Sequence, residues 1–117
     1  MAHITNNIRQ WSKSKYGIHA LGCFEDIISE ILKEDGFKFR YRTGGFSPDE
    51  YDLGMVKEGE DTNTIYSFCC TYSDLVVALH SHDGPNGYDK ECYREVAEEY
   101  AKRFKAEYTV RHIKPKW

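Results

Sequence analysis

The stretch Gly36-Phe37-Lys38-Phe39-Arg40-Tyr41-Arg42 decides the fold. Its aromatic and cationic residues alternate without a break. Successive strand side chains point to opposite faces of a sheet. The spacing therefore predicts a strand with Phe37, Phe39 and Tyr41 on one side and Lys38, Arg40 and Arg42 on the other. The aromatic side needs cover and the cationic side does not. A sheet that begins here, covered on one face by helices, is the expected architecture.

Upstream, Leu21, Phe24, Ile27, Ile28, Ile31 and Leu32 form one helical stripe over residues 19–34. Gly36 suits the left-handed position after its end. Farther back, Ile4, Ile8 and Trp11 fall at i, i+4, i+7 and predict a short first helix. Downstream, Gly44-Gly45 and Ser47-Pro48-Asp49 are turn chemistry. Tyr51, Leu53 and Met55 alternate with Asp52, Gly54 and Val56, a second strand. Residues 57–63 form an acidic loop, and residues 64–72, rich in β-branched and aromatic types, a third strand. Residues 75–82 read as a fourth strand, apolar on both faces at its start and therefore central. Asp83-Gly84-Pro85-Asn86-Gly87 is a dense turn signal. Tyr93, Val96, Ala97, Tyr100 and Phe104 line a last helix over residues 89–105. Residues 106–113 give a last strand whose partner the pattern does not specify. The order ααββββαβ implies a single α+β domain. Its expected core is an antiparallel four-stranded meander plus a C-terminal strand, packed against helices on one face.

At 117 residues the chain is long enough to bury a core without metals or cross-links. A net charge of -3 argues against a general nucleic-acid coat protein, which is usually basic. Aromatics make up 15% of the residues, nine of them Tyr, more than one small core needs; such rings often serve contact surfaces. No apolar run approaches the ~20 residues of a membrane span, and the N-terminus lacks the apolar segment of a signal peptide. A cytoplasmic protein is expected, with Cys23, Cys69, Cys70 and Cys92 as free thiols.

Three sets of residues compete for a function. The Lys38, Arg40 and Arg42 stripe, with cations about 7 Å apart, can track phosphates or an acidic protein surface. Its bland alternative is a solvated face neutralised by Asp49, Glu50, Asp52, Glu58, Glu60 and Asp61. Phe46, a loop aromatic near Arg40 and Arg42, has the character of a binding hot spot. The second set is His80 and His82, a chelating pair if they share a strand face, with Cys70, Cys92 or His112 as a third ligand. No zinc-finger spacing and no H-E-x-x-H helix is present. Following the apolar run Val76-Val77-Ala78-Leu79, His80-Ser81-His82 resembles the His-x-His core of the JAMM-type metallopeptidases. However, the family's next Pro is Asp83 here, and its downstream Ser and Asp fall on Lys90 and Tyr93. That family is therefore rejected, and no metal or cofactor is expected. Third, Cys92, near the start of the last helix, could pair with His80 or His82 as a nucleophile, but nothing marks an orienting third residue.

The favoured expectation is a small, non-enzymatic cytoplasmic protein that contacts a larger protein or ribonucleoprotein assembly. It would inhibit or adapt that assembly, in the style of phage and mobile-element accessory inhibitors. The expected contact residues are Lys38, Arg40, Arg42 and Phe46. The alternatives are a metal- or Cys/His-dependent hydrolase using His80, His82 and Cys92, and a nucleic-acid binder acting through the Lys38/Arg40/Arg42 face. An edge strand at 37–42 beside a bare sheet face makes a homodimer plausible.

Overall fold

The computed structural model describes residues 15–43, 50–82 and 90–112. The elements are α1 (Lys15–Lys33), β1 (Phe37–Thr43), β2 (Glu50–Lys57), β3 (Thr64–Thr71), α2 (Tyr72–Ser81), a 3-10 turn (Lys90–Tyr93), α3 (Arg94–Glu107) and β4 (Thr109–His112). The expected first helix at Ile4, Ile8 and Trp11 lies outside the described residues, as does Phe46.

The class is α+β, and the sheet is antiparallel throughout, in the order β1-β2-β3-β4. The α1 stripe builds the core as its spacing dictates. Phe24, Ile27, Ile28 and Leu32 are buried against Leu53 and Met55 of β2, Phe68 of β3, and Val96, Tyr100 and Phe104 of α3. Phe24 meets Tyr100 edge-on at 5.7 Å, and Phe37 meets Phe104 at 5.1 Å, the geometry that aromatic quadrupoles favour. Buried Tyr51 donates its hydroxyl hydrogen bond to Glu25 of α1. The end of α1 tightens through bonds from Asp35 N to Leu32 O and from Gly36 N to Lys33 O. Gly36, at φ 84°, then turns the chain into β1, a conformation that costs glycine little.

One element differs from expectation. Residues 75–82, read as a fourth strand, are mostly helix α2. Leu75, Val76 and Leu79 are buried while Val77 is 55% exposed. That is an i, i+1, i+4 stripe, and a strand would have put Leu75, Val77 and Leu79 on one side. The meander therefore has three strands, and β4 supplies the fourth by pairing antiparallel with β3, Thr109 opposite Ser67 and Arg111 opposite Ile65. A short apolar run does not distinguish strand from helix by periodicity. The signal that could have done so is Thr71 three residues before Asp74, a helix-start spacing. Thr71 is indeed the N-cap residue and Asp74 lies in the first turn, although Thr71 makes no side-chain cap hydrogen bond. A carboxylate there is favoured by the helix dipole.

Candidate functional site

The deciding stretch forms its strand but does not keep strict alternation. Phe37 stands opposite Lys57, Lys38 opposite Val56 and Phe39 opposite Met55. Tyr41 then stands opposite Gly54, because the register shifts at Arg40. This bulge sends Tyr41 to the face it was expected to avoid. Directly opposed residues of an antiparallel pair share a face, so Tyr41 joins Lys38 on the side of Gly54 and Val56. Its ring lies over Gly54, where an added Cβ would sit 2.3 Å from Tyr41 Cε1. Its hydroxyl donates to Asp52 Oδ2 at 3.2 Å, and Ser67 Oγ donates to Asp52 Oδ1 at 3.0 Å. Asp52, Ser67 and Ile65 are all buried on this face. The face expected to be bare is thus partly covered.

Lys38 and Arg40 are exposed on β1. The Arg42 backbone stands opposite Leu53; its side chain is outside the described ones. Two further cations join instead. A cleft of about 770 Å³ opens where the end of α1, the edge strand β1 and the β2–β3 loop meet. Lys33, Lys38, Arg40 and Lys57 line it, together with Glu58, Glu60, Phe37, Phe39 and Val56. Pattern reading missed Lys33 and Lys57 because they belong to other elements. Lys57 reaches the cleft through the β1–β2 register, which places it opposite Phe37, its ammonium 5.6 Å from the ring centroid.

Ion pairs hold several cations of α3 and the 3-10 turn. Lys90 pairs with Glu30 at 2.6 Å, Arg94 with Glu91 at 2.5 Å, Lys105 with Asp35 at 3.0 Å and Arg103 with Glu107 at 3.7 Å. Among the described residues, the cleft cations Lys33, Lys38, Arg40 and Lys57 form no ion pair, and neither do Lys102 of α3 and Arg111 of β4. Three of the acids expected to neutralise the stripe accept hydrogen bonds from other residues, while Glu58 and Glu60 line the cleft itself. Asp52 accepts from Tyr41 and Ser67, Glu60 from the Tyr66 hydroxyl at 2.5 Å, and Asp61 from Asn63 N at 3.0 Å. The Tyr66 hydroxyl is held above its ordinary pKa, chiefly by that bond to Glu60.

The histidine pair does not assemble. On helix α2, positions 80 and 82 lie roughly 200° apart around the axis. His80 is exposed, and His82, at the helix C-cap, faces Glu95 at 3.7 Å. Cys92 sits in the 3-10 turn, half-buried against the core. The buried Cys23 thiol has His19 Nε2 at 3.6 Å. Its pKa is raised, first by burial, then by Asp26 and by Cys92, with Lys90 opposing. A raised thiol pKa is the opposite of what a nucleophile needs. Among the described residues, no group of three His, Cys, Asp or Glu side chains could hold a metal ion. No helix among them is long and apolar enough to cross a membrane. No family model, curated protein or solved structure matches this chain.

Proposed function

We propose that the protein works by contact, holding a larger protein or ribonucleoprotein partner at the β1 cleft and thereby inhibiting or adapting it. The observation that carries this reading is the gathering of four cations without ion pairs among the described residues, Lys33, Lys38, Arg40 and Lys57, around one cleft. Charges kept apart from intramolecular partners are available to an intermolecular one, and complementary charge supplies specificity and a fast on-rate. The cleft also offers Phe37, Phe39 and Val56 as apolar surface, the mixture of apolar floor and polar rim usual at contact sites. The four free cysteines fit a reducing compartment, which supports a cytoplasmic setting.

Affinity capture from an extract of the protein's own source cell tests this. The wild type should retain a specific partner that Arg40→Glu loses, while His82→Ala retains it. Capture that depends on His82 and not on Arg40 would contradict the reading.

A further inference from the structure

The reading of the cleft as a contact site can be taken to the chemistry of its ligand, and on that reading we propose that the cleft takes an acidic polypeptide segment. Carboxylate side chains of that segment meet Lys33, Lys38 and Arg40, which line the cleft without an ion pair among the described residues, as does Lys57 over the Phe37 ring.

The opposite wall decides between anionic ligands. Glu58 and Glu60 line the same cleft. A nucleic-acid backbone carries a charge at every nucleotide and would have to run past both carboxylates. A peptide can place its acids opposite the cations and neutral or basic residues opposite the glutamates. A second copy of the chain fits no better. Pairing two β1 edges would bring Lys38 and Arg40 of one copy against those of the other, and like charges directly opposed are destabilising. Cations on an edge strand guard against that pairing, and here they leave an edge open to an acidic chain.

The test uses fluorescence anisotropy with a labelled peptide of about ten residues in which Glu alternates with Ser and a labelled oligothymidylate of about 20 nucleotides. The wild type should bind the Glu-Ser peptide more tightly than the oligothymidylate, and less well as salt rises from about 50 to about 500 mM. Arg40→Glu should weaken Glu-Ser peptide binding roughly tenfold, since a favourable exposed pair becomes a repulsive one. Glu58→Gln should strengthen it. Tighter binding of the oligothymidylate, no Glu-Ser peptide binding, or Glu-Ser peptide binding indifferent to Arg40→Glu would each overturn the proposal. If a cellular partner is lost by Arg40→Glu while the Glu-Ser peptide fails to bind, the ligand chemistry is wrong and the contact reading stands. If no partner is captured at all, the contact reading itself falls.

Discussion

Tyr41 and Gly54 show how much one residue's placement controls. The Tyr41 ring occupies the space a Cβ at position 54 would need, and its hydroxyl helps satisfy buried Asp52. Gly54→Ala should force the ring off the sheet and cost about 1–3 kcal/mol. The cost should come mainly from losing Tyr41, so adding Gly54→Ala to Tyr41→Ala should cost little more than Tyr41→Ala alone. Urea unfolding of the two single variants and the double checks this; full additivity would contradict it. Asp52→Ala leaves the buried Ser67 hydroxyl without its acceptor, a loss of about 1–3 kcal/mol. Two buried acids bear on stability at alkaline pH. Burial pushes the Cys70 thiol from 9.0 up to about 12, and the Tyr100 hydroxyl from 10.0 up to about 12, with Arg103 opposing both. The folded state holds these protons longer than the unfolded chain does. Their contribution is therefore complete below about pH 9 and is lost as pH climbs toward 12. Urea midpoints should fall over that window, less steeply in Cys70→Ala; an equal slope in both proteins would sink the assignment.

At the scale of elements, α1, β1, β2 and α3 were legible because each carries a run of one period, and β3 because it is rich in β-branched and aromatic residues. In the α1 stripe Phe24, Ile27, Ile28 and Leu32 are buried and Leu21 and Ile31 partly so, and β2 is buried from Tyr51 to Met55 because Tyr41 and Ser67 cover its Asp52 and Gly54 side. Helix α2 was not legible. Its ten residues are short, and Leu75, Val76, Val77 and Leu79 satisfy either period. Mutation separates the two arrangements. Val77→Ala should change stability by no more than about 0.5 kcal/mol, because Val77 faces solvent. Leu79→Ala should cost about 2–5 kcal/mol, because Leu79 is fully buried. Similar costs at both positions in chemical denaturation would favour a strand. The β1 bulge was equally hidden. A register shift depends on the partner strand, so no local pattern within residues 36–42 announces it.

The whole molecule explains why only part of the site could be read in advance. Lys38 and Arg40 were visible as members of an alternating strand. Lys33 and Lys57 come to the cleft from the end of α1 and from β2, through the turn at Gly36 and the β1–β2 pairing. The Arg42 side chain lies outside the described ones. The distribution of charge, rather than its total, is what the tertiary fold adds to the composition. One comparison tests that most directly: capture of a partner by wild type, Arg40→Glu and Lys102→Glu. Both substitutions make the same change in net charge, but Lys102 is an exposed residue of α3 outside the cleft lining. The expected result is a partner kept by wild type and Lys102→Glu and lost by Arg40→Glu. Equal loss in both variants would mean that overall charge governs binding, and the β1 cleft would no longer be its site.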